Sequence, residues 1–250
     1  GQIVLPTVQG FFDKRLLRMA DESDFESLER VGETAWRMHD QPDAGLWEFR
    51  TRQEVHTYSA VMSWAACDRL ADVANHIDRP DRAQFWRHRA ETIRATIEKR
   101  AWHESGHENG EGGHFGASFE ADYLDASLLQ MIELRFIEPD DPRFQSTFAA
   151  IERDLRRGEY MLRYAAEDDF GAPETAFNVC TFWLIEALHR VGRDDEAREL
   201  FGAMLGHMTR SGLLSEDLDF ETGELWGNFP QTYSLAVSYT HLTLPTNREV

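Results

Sequence analysis

Residues 58–97 read YSAVMSWAACDRLADVANHIDRPDRAQFWRHRAETIRATI, and two apolar stripes run through them. Tyr58, Val61, Met62, Ala65, Leu70, Val73 and Ile77 recur at three- and four-residue steps, and Trp86, Ala90, Ile93 and Ile97 repeat the pattern. Between them Asp78-Arg79-Pro80-Asp81 joins a helix-stopping Pro to a capping Asp, so the two helices should fold back on each other as a hairpin.

Working outward, the plan recurs. Helical stretches at 123–136 and 143–155 flank Pro139-Asp140-Asp141-Pro142, those at 177–191 and 197–208 flank Gly192-Arg193-Asp194, and a shorter pair at 3–19 and 25–38 opens the chain. About four hairpins at intervals of roughly fifty to sixty residues have the period of stacked helical units. The expected fold class is all-α.

Composition bounds the function. The chain has 250 residues, 42% of them hydrophobic and 12% aromatic, which is enough to bury a sizeable core. A formal net charge of −19 and the lack of a dense Lys/Arg run exclude a nucleic-acid partner and favour a neutral or cationic ligand. Cys67 and Cys180 both fall in apolar helical stretches, so they are expected to be core fillers in a reducing, cytoplasmic setting. No apolar run is long enough to span a membrane, and no charged-then-apolar leader opens the chain. The first residues, Gly1-Gln2-Ile3-Val4-Leu5, enter an apolar stretch at once, as a fragment begun inside a helix would. Nothing in the sequence sets the oligomeric state.

Between the hairpins lie Gly-rich polar segments at 40–56, 102–120, 158–173 and 210–230, each ahead of the first helix of its pair. Hairpins stacked side by side have parallel first helices, so these segments should emerge at one end. That would collect Trp47, Trp102, Phe115, Tyr164, Phe170, Trp226 and Phe229 beside two glutamates, Glu48 in Gly45-Leu46-Trp47-Glu48-Phe49-Arg50 and Glu216 in Leu214-Ser215-Glu216-Asp217. Paired carboxylates among loop aromatics suit glycoside hydrolysis, because rings stack on the flat face of a pyranose while the two acids share the proton transfers. Taken singly, Glu48 is more often a solvated turn residue, and Glu216 more often a first-turn glutamate at a helix N-terminus. Trp47 improves the case for Glu48 by removing water from its carboxyl. His56, just before a helix, divides evenly between an N-terminal polar role and substrate contact. The cluster from His103 to His114 offers metal-type ligands, but its glycines leave the imidazoles unaligned, so neither a metal nor any other cofactor is expected.

The segment 45–50, His56-Thr57-Tyr58-Ser59 leading into Trp64-Ala65-Ala66-Cys67-Asp68-Arg69, Leu124-Asp125-Ala126-Ser127-Leu128-Leu129, Arg163-Tyr164, the segment 180–188, and 212–217 running to Gly227-Asn228-Phe229-Pro230-Gln231 resemble glycoside hydrolase family 15, the glucoamylase-like and bacterial trehalase-like enzymes. The resemblance covers residues 1 to about 234 in order. It implies an (α/α)6 toroid, here incomplete, that hydrolyses α-glucosidic bonds with inversion in carbohydrate metabolism, taking a small carbohydrate as substrate. It assigns Glu48 as general acid, Glu216 as general base, and Trp47, Arg50, His56, Arg163 and Trp226 as substrate-binding. The segments holding Arg50, His56 and Trp64 look closer to the trehalase-like branch. Two departures stand out: Glu174-Thr175-Ala176-Phe177 replaces the family's usual Glu-Gly-x-Phe, and 235–250 looks like translated adapter sequence. A toroid lacking part of its wall exposes apolar faces, so the polypeptide itself is expected to be inactive or poorly soluble. The rival reading from the residues alone is a non-catalytic helical repeat or sugar-binding protein; inter-hairpin segments of about fifteen to twenty residues speak for function, since repeats keep short loops.

Overall fold

The computed structural model describes residues 1–104, 112–168 and 171–236. The helices are α1 (Val4–Phe12), α2 (Glu22–Met38), α3 (Thr57–His76), α4 (Pro80–Arg100), α5 (Gln130–Glu133), α6 (Pro142–Leu155), α7 (Asn178–Arg190) and α8 (Asp194–Gly206). Two-residue strands β1 (Trp102–His103) to β7 (Leu225–Trp226) lie in the connections: β1 pairs with β2 (His114–Phe115), β3 (Arg156–Arg157) pairs with β4 (Tyr160–Met161), and β5 (Ala176–Phe177), β6 (Asp217–Leu218) and β7 form a three-stranded antiparallel sheet. The chain divides into two compact units, Gly1–Asp122 with Glu133–Ile137, and Tyr123–Ile132 with the described chain from Glu138 onward.

In the first unit the hairpin of residues 58–97 forms as its pattern requires. Pro80 stands at the start of α4, and the turn is closed by Arg79 N–H donating to Ala74 O at 2.8 Å. The two helices differ in kind. α3 buries residues on most of its sides, among them Val61, Trp64, Cys67 and Leu70, whereas α4 buries only the stripe Ala83, Trp86, Ala90, Ile93 and Ile97. A helix apolar all round is an inner helix, and one with a single stripe faces solvent on its back. The second unit repeats the contrast: α7 buries nine residues from Asn178 to Leu188, α8 only Ala197, Leu200 and Met204. Burial pushes the Cys67 thiol up to about 12 and the Cys180 thiol well above its ordinary value, so both are inert packing groups.

Two helix expectations need correction. The stretch 3–19 is helical only over Val4–Phe12, because Asp13 turns extended and its carboxyl takes the Arg15 backbone N–H and guanidinium. The chain restarts at Asp21, whose side chain forms a capping box with Asp24 ahead of α2. The stretch 123–136 holds only a 3-10 turn, Ala126–Leu129, followed by the short α5. Asp125 is extended and accepts from Ser127 N–H at 2.7 Å, Ala126 N–H is diverted to Arg163 O at 2.8 Å, and Arg135 at φ 62° breaks the far end.

Each unit draws two connections to the start of its inner helix. In the first, Thr57 N–H donates to Ala117 O at 2.9 Å and Phe119 N–H to Val55 O at 2.9 Å, so the segments 40–56 and 102–120 meet above α3. In the second, Asn178 N–H donates to Glu216 O at 3.0 Å and β5 pairs with β6, so the chain before α7 meets the segment after α8. Of the aromatics expected on these loops, Trp226 and Phe229 are exposed, Phe115 and Tyr164 are core residues, and Phe170 lies outside the described residues.

Gly32 on α2 sits in close contact with α3 and α4: a Cβ there would meet Leu70 Cδ1 and, at 2.8 Å, Trp86 Cη2. Alanine is the better helix former by about 1 kcal/mol, but overpacking a closed core costs about 1–3 kcal/mol. Gly32→Ala is therefore expected to lower the urea midpoint of the first unit, despite the gain in propensity.

Candidate active site

The Glu48 loop is a folded turn. Asp43 Oδ1 accepts from Gly45 N–H at 2.8 Å, Phe49 N–H donates to Ala44 O at 2.8 Å, and Asp43 and Glu54 exchange backbone hydrogen bonds of 2.9 and 3.1 Å. Gly45 sits at φ 69°, and a Cβ on it would fall 2.8 Å from His56 Nε2, so only glycine lets the turn lie flat on the imidazole. That ring is 6% exposed, stacks on Phe49 at 5.8 Å, and leaves Nε2 without a hydrogen-bond partner among the described residues. His56 occupies the N-cap position of α3, yet its side chain makes no capping bond; it supports the turn instead. Arg52 closes the other side, its guanidinium 3.9 Å from the Phe49 ring. Glu48 itself is at φ 56°, a conformation a glutamate adopts at a cost of order 1–3 kcal/mol and one concentrated at functional sites. Its side chain is exposed, as is Arg50, while Trp47 is half-buried.

Glu216 stands in a different setting. The expectation of a first-turn glutamate is replaced by a backbone role: its carbonyl receives the first N–H of α7, its own N–H donates to Asn228 O at 2.9 Å, and the chain continues into β6. The carboxylate is gripped by amides. Oε2 accepts from Asn228 N–H at 3.2 Å and Asn228 Nδ2 at 2.8 Å, and Oε1 accepts from Gln231 Nε2 at 3.1 Å. Gly227, at φ 77°, allows the strand end to pass this close, since a Cβ would sit 3.1 Å from Glu216 Oε2.

One residue further on, Asp217 walls a cavity of about 360 Å³ together with Arg163, Asp168, Phe177 and Trp226 among others; Glu216 is not among its lining residues. Arg163 is not the surface residue its type suggests. Asp168, its side chain 6% exposed, accepts from Arg163 at 3.2 Å and from the Tyr164 hydroxyl at 2.6 Å, and the guanidinium lies 5.1 Å from the Tyr164 ring. Burial and the bond to Asp168 hold the Tyr164 hydroxyl protonated, well above the ordinary tyrosine range. Asp217 and Asp168, which also line this cavity, had no signal in the sequence beyond standing one residue after Glu216 and five after Arg163. Among the described residues no group of three His, Cys, Asp or Glu side chains could hold a metal ion, and no helix is long and apolar enough to cross a membrane. Most of the His103–His114 cluster lies outside the described residues.

Burial raises the Asp217 carboxyl from 3.8 to about 6, against the opposing pull of Arg163, with Glu216 adding to the rise. A carboxyl raised on folding binds its proton more tightly in the folded state, so its stabilising contribution is whole below about pH 4 and lost as pH climbs through about 6. Asp217→Asn is accordingly expected to raise stability at pH 7 by on the order of 1–3 kcal/mol. The advantage should vanish near pH 4, as urea unfolding at the two pH values would record.

The family model for glycosyl hydrolases family 15 matches residues 28–238. The trehalase of Mycobacterium tuberculosis is 34% identical over 220 residues, covering 87% of this chain and 30% of that enzyme, and the trehalase of Thermoplasma volcanium is 32% identical over 194 residues, covering 77% and 30%. The chain thus spans about a third of the length of these relatives. Among solved structures, a bacterial glucoamylase complexed with acarbose superposes with a TM-score of 0.72 at 16% identity over 86% of this chain and 36% of that one. The glucoamylase from Saccharomycopsis fibuligera gives 0.68 at 13% identity over 94% and 64%. Those likenesses show the fold, all-α and built from the helix pairs of an (α/α)6 toroid. The chain belongs to the glycosyl hydrolases of family 15.

Proposed function

We propose that residues 1–234 form part of the catalytic domain of an inverting hydrolase of α-glucosidic bonds, with Glu48 as general acid and Glu216 as general base. Glu48 protonates the departing glycosidic oxygen while Glu216 takes a proton from the water that attacks the opposite face of the sugar. Inversion requires the two carboxyls about 6.5–9.5 Å apart, the room one water needs. Arg163 and Trp226 contact the sugar from the cavity that Asp217 lines, and Trp47, Arg50 and His56 bind it on the side of Glu48. Trehalose is the favoured substrate, because relatives named trehalase match most of the chain.

One observation carries the reading. A carboxylate offers about four lone-pair sites over its two oxygens, and three of those on Glu216 are taken by Asn228 and Gln231. The fourth, on Oε1, is left for a water proton. All three donors are neutral amides, and among the described residues no cation pairs with this carboxylate to compete with the water. A general base needs that combination of fixed orientation and an open acceptor.

The test is hydrolysis by the full-length gene product on trehalose, maltose and isomaltose, with the released anomers followed by NMR. From trehalose, inversion gives one glucose as the β anomer and one as the α; two α anomers, or cleavage of none of the three sugars, would sink the proposal. Glu48→Gln and Glu216→Gln are each expected to lower turnover by about 10²–10⁴-fold while sugar binding persists.

A further inference from the structure

The pairing of β5, β6 and β7 sets Phe177 opposite Asp217 and Asp217 opposite Trp226. Residues directly opposed across antiparallel strands send their side chains to the same face, so a carboxylate stands between two aromatic rings. All three line the cavity of about 360 Å³ that also receives Arg163, a volume within the range of small-molecule sites. Rings offer stacking surface to the flat faces of a pyranose, while carboxylate and guanidinium take up its hydroxyls as acceptor and donor.

The packing of the unit does not account for Asp217. Its carboxyl takes a hydrogen bond from the Thr175 side chain and feels Arg163, but among the described residues no ion pair ties it to a cation. Arg163 is engaged by Asp168 instead. A half-buried carboxyl set between two rings on a cavity wall, with no ion pair among the described residues, is better explained by ligand binding than by structure.

The geometry points to Asp217 as a further substrate-binding residue, one that selects a glucosyl unit by accepting hydrogen bonds from its hydroxyls between the Phe177 and Trp226 rings. This rests on the hydrolase reading above. Asp217 is a recognition group and takes no part in proton transfer: it faces the cavity on the sheet, while the residue before it holds the open acceptor for water.

Binding of methyl α-D-glucopyranoside and its 2-, 3-, 4- and 6-deoxy forms to the full-length protein and to Asp217→Asn, followed by tryptophan fluorescence beside urea unfolding at pH 7, tests this. The variant is expected to bind the parent sugar about tenfold more weakly or worse, and to lose nothing further with the deoxy form lacking the hydroxyl that Asp217 holds. Its stability should rise at the same time. Equal affinity for the parent sugar, equal losses for all four deoxy forms in both proteins, or affinity and stability falling together would overturn the assignment. Sugar binding that depends on Asp217 in a protein that cleaves no α-glucoside would support it while refuting the hydrolase reading.

Discussion

Both inner helices begin without a side-chain cap. The residues ahead of α3 and α7, His56 and Phe177, make no capping bond, so the first N–H groups of two buried helices must find acceptors elsewhere. They find them on backbone carbonyls far along the chain, Ala117 for Thr57 and Glu216 for Asn178. Leaving such a donor unpaired in a core would cost about 1–3 kcal/mol, which makes the closure close to obligatory. In the second unit it fixes the residue proposed as general base. The position of Glu216 follows from a helix that needs an acceptor, and because the carbonyl meets that demand the carboxylate is not drawn into capping the helix.

The two proposed glutamates are held by opposite means. Glu48 rides a turn whose shape depends on Gly45 lying against His56, and its own backbone is strained. Glu216 is unstrained and its side chain is fixed by three amide contacts. The acid and base roles proposed for them make different demands on a carboxyl, and environments this unlike are the usual way for two carboxyls to be given different roles.

Much of this was legible in the sequence, and what was not has identifiable causes. Residues 58–97 announce their hairpin because spacing, Pro80 and the Asp pair agree. Glu48, Glu216 and Trp226 stood out as carboxylates and an aromatic on inter-hairpin segments, while their roles and that of Arg163 came from the resemblance of ordered segments. Spacing misled at 123–136, where apolar residues have helical periodicity but Asp125 and a diverted Ala126 N–H impose a short 3-10 turn. Phe115 and Tyr164 were expected on a binding face because they sit in loops; pairing of β1 with β2 and of Asp125 with Tyr164 turns them inward. Neither event leaves a local trace, since each depends on a partner distant in sequence. Nothing local singles out Asp217 from its neighbours, and only the strand register sets it between two rings.

The amide grip on Glu216 has one more consequence. Backbone N–H and the side-chain amides of Asn and Gln neither gain nor lose protons anywhere in the range where carboxyl groups change charge. A clamp built from arginine or histidine would have tied the attitude of the carboxylate to ionic strength or acidity. This one is electrically constant, so its form does not vary with acidity over that range.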